Sequence, residues 1–175
     1  MIKTLALFTG AALALGASAA VAQPATLLGV YGKWTALSTG AGSGMTCFVR
    51  SEPTALRPAS VKRDKAKTYL LVSDWPSRRI KGEPQIVYGY QVKEGGAGAL
   101  GVGGDKFSFF IRNTGKDGNG WLTSLTENQR LVDAMRGGVS AVASGTNPKG
   151  VKTIDTYSLQ GFGEALDKAH AACQM

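Results

Sequence analysis

The chain has 175 residues, 43% of them hydrophobic, and its 20 Lys and Arg outnumber 12 Asp and Glu for a formal charge of +8. That length suits one domain with a real core, and a single histidine with one pair of cysteines argues against a zinc site. The positive charge favours encounter with anionic surfaces without naming a partner.

The first residues read as a leader. Lys3 supplies a positive start, Thr4 to Gly16 is apolar and uncharged, and Ala20-Val21-Ala22 has the A-x-A spacing that signal peptidase needs. Residues 1–22 are therefore predicted to be a removable signal peptide, and residues 23–175 an exported domain. The apolar run is shorter than the roughly 20 residues that cross a bilayer, and Gly10 and Gly16 interrupt it. No later stretch is apolar for long enough to span a membrane. The expected location is periplasmic or secreted, with a charge one unit below that of the full chain because Lys3 is the leader's only basic residue.

Short strand-like runs follow. Leu28 to Leu37 precedes a glycine-rich stretch from Thr39 to Gly44, and Met45 to Val49 reads as a buried strand. Pro53 to Lys67 is a basic, proline-containing connection expected to be a loop. Thr68 to Trp75 is a core strand, since so short an apolar run fits a strand better than a helix. Pro84 to Val92 alternates as a strand, and Gly95 to Gly104, with six glycines in ten residues, reads as a turn. Lys106 to Arg112 places Phe107, Phe109 and Ile111 on one face. Asp117-Gly118-Asn119-Gly120 carries the Asn-Gly turn signal, making residues 105–125 a hairpin that returns through Trp121 to Ser124.

Two helices interrupt the strands. Thr126 with Gln129 offers a capping box, and Gly137 stops the first helix. Ser158 is the expected cap of the second, whose Phe162, Ala165, Leu166, Ala169 and Cys173 form one apolar stripe. Between them, Val139 to Ala143 and Val151 to Tyr157 form a strand pair. The expected fold is mainly β, a single antiparallel β-sandwich-like domain with a short helix near 127–136 and a C-terminal helix near 159–172. In an oxidising compartment Cys47 and Cys173 are expected to form a disulfide between a core strand and this last helix.

Catalytic patterns are sparse. His170 has no nucleophile placed near it by any motif, and its default role is at the carbonyl end of the helix dipole. Asp64, Asp74, Asp105, Asp117 and Asp155 could supply a glycosidase-type carboxylate pair, but most lie beside Lys, Arg or Gly in predicted turns, where solvation or turn capping is the ordinary role. The Gly95–Gly104 segment lacks the Gly-Lys-Ser/Thr ending of a phosphate loop. No cofactor and no metal is expected. Lys62, Arg63, Lys65 and Lys67 precede the core strand, and Arg78, Arg79 and Lys81 follow it. These seven are candidate contacts to an anionic surface. Nucleic acid is not an expected partner, because the aromatics sit on inward strand faces rather than among the basic residues.

Three ordered segments carry a resemblance: Leu131 to Gly138, Gly145 to Gly150, and Thr153 to Phe162 (TIDTYSLQGF), with Gly32-Lys33-Trp34, Cys47-Phe48 and Tyr69 to Ser73 upstream. Together they resemble the invasion-associated locus B family over residues 28 to 173. The resemblance implies a small exported protein for which no catalytic residues carry over. The expected function is thus a non-enzymatic envelope or secreted protein that binds an anionic surface or a protein partner. The alternative is an envelope hydrolase using paired carboxylates.

Overall fold

The computed structural model describes residues 24–175, so the predicted leader and its cleavage point lie outside the described residues. Alternate burial builds nearly every strand. In β8 (Asp105–Thr114) Phe107 and Phe109 are buried while Lys106, Ser108 and Phe110 are exposed, the two-residue period of a sheet with one covered face. The strands before it are β1 (Thr26–Tyr31), β2 (Trp34–Thr39), β3 (Thr46–Ser51), β4 (Ala55–Arg57), β5 (Thr68–Trp75), β6 (Ile80–Tyr88) and β7 (Ala97–Val102). After it come β9 (Asp117–Trp121), β10 (Ser140–Thr146) and β11 (Lys152–Ser158). They form one antiparallel sheet in the order β1-β2-β3-β5-β6-β9-β8-β7-β10-β11-β4. The fold is mainly β, as the sequence predicts.

This sheet curls back on itself, which gives the sandwich-like arrangement two facing layers. The Tyr88 hydroxyl on β6 donates to Ser144 O on β10 at 3.1 Å, although four steps of strand order separate the two. The ends also meet: Lys33 N–H donates to Gln160 O (3.0 Å) and Trp34 Nε1 to Ser158 O (2.9 Å). Helices α1 (Leu125–Gly137) and α2 (Phe162–Cys173) fill the rest of the inner face. The α2 stripe is buried as predicted, and each fully buried Leu or Phe contributes about 1.5–3 kcal/mol. Phe162 meets Trp34 edge-on with ring centroids 4.8 Å apart. Cys173 is bonded to Cys47 on β3, joining positions 126 residues apart.

Five expectations are corrected. The glycine-rich segment predicted as a turn contains β7, paired with β8 and β10. Its glycines provide space, because a Cβ on Gly98 would overlap the Tyr88 hydroxyl. The turn expected at Asp117–Gly120 is strand β9; the chain reverses earlier, where Gly115 adopts φ 61°. Pro53–Lys67, expected to be a loop, contributes the short edge strand β4 against β11. Both helix caps move as well. Ser124, not Thr126, accepts the Glu127 N–H at 3.2 Å. The last helix begins at Phe162 rather than near 159, because Ser158 turns the chain through Gln160 N–H and Gly161 is the left-handed N-cap at φ 85°.

Candidate functional site

The candidate basic residues divide into two groups at opposite ends of β5. Lys62 and Lys67 lie at one end and Arg78, Arg79 and Lys81 at the other, all exposed. Eight residues of strand hold them roughly 26 Å apart. Lys67 is shared between Asp64 (3.7 Å) and Asp117 (3.4 Å), and the Arg78 guanidinium stands 5.5 Å from the Trp75 ring centre. Lys65 lies in a single 3₁₀ turn before β5.

Arg63 leaves this set. Its side chain is only 2% exposed and its Nη2 lies 2.7 Å from Asp155 Oδ1. The guanidinium also donates to three carbonyls of its own loop: Arg57 O (2.8 Å), Val61 O (3.0 Å) and Pro58 O (3.3 Å). It is a buried strut that ties the β4–β5 connection to β11. The predicted Val151–Tyr157 strand already carries a signal for this. Thr153, Asp155 and Tyr157 share the period of β11, so an inward Tyr157 carries Asp155 inward with it.

Three tyrosines surround that carboxylate. Tyr90 donates its hydroxyl to Thr153, whose own hydroxyl donates to Gly145 O at 3.3 Å. The Tyr157 hydroxyl and Asp155 Oδ2 are buried without a hydrogen-bond partner among the described residues. The Arg63–Asp155 contact is itself a close ion pair rather than a well-aligned hydrogen bond. Burial pushes the Asp155 carboxyl up to about 6, with the Arg63 charge pulling the other way. Burial likewise raises Tyr90 to about 12 and Tyr88 and Tyr157 well above the ordinary phenol range. All three remain neutral at physiological pH.

A second buried carboxylate, Asp74 on β5, has both oxygens engaged. Gly82 N–H donates to Oδ1 at 2.8 Å, and His170 Nδ1 on α2 lies 2.6 Å from Oδ2. With an acceptor there, Nδ1 carries the proton and Nε2 is the ring's other nitrogen. His170 lines a small pocket with Lys81, Gln129, Arg136 and Asp167, in which Arg136 bonds Asp167 at 2.6 Å and holds its carboxyl below the usual carboxylate range. Such a histidine can accept a proton or a hydrogen bond. The described lining supplies no hydroxyl or thiol for it to activate.

His170 is therefore more than a helix-end residue, and Asp74 and Asp155, both within predicted strands, are buried core groups. Each carboxylate takes a nitrogen partner instead of a second carboxylate. Among the described residues no group of three or more His, Cys, Asp or Glu could hold a metal ion, and no helix is long and apolar enough to cross a membrane.

No protein-family model and no curated protein matches the sequence. The fold does have a solved counterpart. The crystal structure of invasion associated protein B from Bartonella henselae aligns with a TM-score of 0.55, covering 84% of this chain and 98% of that one at 16% identity. At that identity the likeness is one of fold.

Proposed function

We propose that this chain is an exported, disulfide-locked member of the invasion-associated locus B family that works by holding an anionic partner at its surface, not by catalysis. The observation that carries the reading is the Cys47–Cys173 bond. It ties a core strand to the end of the last helix, and bonds of this kind persist where thiols are not kept reduced. The leader-like start and the fold shared with the Bartonella protein support the same conclusion. The buried polar groups support binding over chemistry, because Arg63, Asp155, Asp74 and His170 pair with one another. The exposed cations Lys62, Lys67, Arg78, Arg79 and Lys81 supply attraction at the rim.

Intact-mass measurement of the protein purified from its natural envelope tests export. The expected species lacks residues 1–22 and has no alkylatable thiol before reduction. An intact Met1 with two free thiols overturns it. Retention on immobilised heparin at low salt tests the partner class. Charge reversal at Arg78, Arg79 and Lys81 is expected to weaken retention, and absence of retention by the unaltered protein refutes the anionic reading.

A further inference from the structure

The outer face of the sheet is not uniformly polar. Cross-strand register aligns Phe110, Trp121, Gln85, Leu71 and Arg50 in one row over β8, β9, β6, β5 and β3. A second row places Arg112, Asn119, Val87 and Tyr69 beside them. Directly paired residues project to the same face, so the rows form a platform about 19 Å across.

Its chemistry has three parts. Phe110 is 40% exposed and stacks with Trp121 at 5.8 Å between ring centres and 30° between planes. Gln85 Nε2 donates to Asn119 Oδ1 at 2.9 Å and Asn119 Nδ2 donates to Asp117 O at 3.3 Å, leaving the Gln85 carbonyl oxygen and the second Asn119 N–H to offer hydrogen bonds beside the rings. Arginines stand at two corners. Arg50 lies 5.7 Å from the Tyr69 ring centre, with Glu52 at a loose 3.9 Å, and no carboxylate among the described residues pairs with Arg112. Two acidic residues border the face and both are engaged: Glu83 accepts from Trp75 Nε1 at 2.9 Å, and Asp117, on the same face of β9 as Asn119, pairs with Lys67 at 3.4 Å. Next to Phe110, β7 presents only Ala97, Ala99 and Gly101 outward, which keeps the approach low.

We propose that this face binds an acidic oligosaccharide, a sugar chain bearing carboxylates. It rests on the anionic-partner reading and names the partner's chemistry. The C–H faces of a pyranose ring pack on exposed aromatic rings, sugar hydroxyls pair with side-chain amides, and a planar guanidinium matches a carboxylate with two parallel hydrogen bonds. Aromatics and amides with cations at two corners meet those needs together. A purely electrostatic surface would need only the cations.

The test is an array carrying hyaluronan, oligogalacturonate and sialylated oligosaccharides beside neutral ones of equal length, followed by calorimetry on the tightest binder. Acidic chains are expected to bind and their neutral counterparts to bind far more weakly. Phe110→Ala and Trp121→Ala are each expected to weaken binding about tenfold without changing net charge. Arg112→Gln is expected to weaken it similarly and to flatten its salt dependence. Trp121 is half-buried, so shifts of its indole NMR signals during titration of the unaltered protein provide a measure independent of that variant's folding. No acidic binder on the array, or binding that ignores Phe110→Ala and Trp121→Ala, overturns the platform. If heparin retention persists in either case, the broader anionic reading survives; if retention is also absent, both fall. Self-association that is abolished by Phe110→Lys, with no glycan bound, would assign the face to a second copy and likewise overturn the proposal.

Discussion

Asp74 and Asp155 are buried on the same inner face, with 0% and 1% of their side chains exposed, yet their surroundings treat them differently. Asp74 has a hydrogen-bond partner for each oxygen, and its histidine sits on a helix bonded covalently to the neighbouring strand β3. Asp155 has one poorly aligned cation and a buried oxygen without a partner. Arg63 in turn divides its donors between that carboxylate and three loop carbonyls. A buried charge can be accommodated by directed hydrogen bonds or by a nearby countercharge. Only the first leaves no unmet demand.

The largest expected effect tests whether the disulfide underlies this difference. Replacing Cys47 and Cys173 together by alanine is expected to cost about 4 kcal/mol in urea unfolding, given the long loop that the bond closes. Cys173 lies one turn beyond His170 on α2, so the loss should loosen the Asp74 site more than the Asp155 site. Hydrogen exchange of the Gly82 amide, which donates to Asp74, should then rise more than that of the β10–β11 amides around Asp155. Equal increases would mean that the two sites do not differ in what anchors them.

Next in size is the test of the countercharge. Arg63→Met strands a buried carboxylate and is expected to cost about 3–4 kcal/mol at pH 7. Asp155→Asn added to it should recover most of that loss, since an amide carries no charge to compensate. The pH dependence follows the same logic. The Asp155 carboxyl titrates at about 6 in the fold and near 4 in an unfolded chain. Between those values the folded state holds a proton that the unfolded state has released. Its contribution to stability is therefore fully present below about pH 4 and is lost as pH rises through 6, by about 2–3 kcal/mol. Asp155→Asn removes that slope. A slope that survives the substitution belongs to another group.

Much of this architecture was legible beforehand because it depends on local period. The bounds of β5 match the predicted Thr68–Trp75 strand, and the β10–β11 pair and the α2 stripe follow from spacing alone. Glycine was the ambiguous letter. Gly118 and Gly120 look like turn residues, but they lie in β9, where a Cβ would strike Val92 at the first and crowd Ile111 and Phe109 at the second. Whether a glycine supplies a turn or a gap depends on neighbours distant in sequence. Charge pairing is non-local too. Nothing near Arg63 marks Asp155 as its partner, although strand parity places Asp155 inward with Tyr157 just as it places Asp74 inward with Leu70 and Val72. The outer platform was missed for a related reason. Its rows exist only once register joins five strands that are not consecutive in the chain.

The smallest expected effect is the sharpest test of the contrast. His170→Gln removes the ring that approaches Asp74 Oδ2 at 2.6 Å but leaves the Gly82 N–H bond intact. Glutamine can donate a neutral hydrogen bond from a similar distance along the helix, and the site has a short path to solvent because His170 is 13% exposed. The expected loss is about 1–2 kcal/mol, the difference between a strong and an ordinary hydrogen bond to a buried carboxylate. It should fall well short of the Arg63→Met loss at the same pH, since Asp74 keeps the Gly82 N–H bond whereas Asp155 is left with no partner. Equal losses in urea unfolding would show that both carboxylates depend on a single countercharge, and that the second hydrogen bond at Asp74 carries none of the difference.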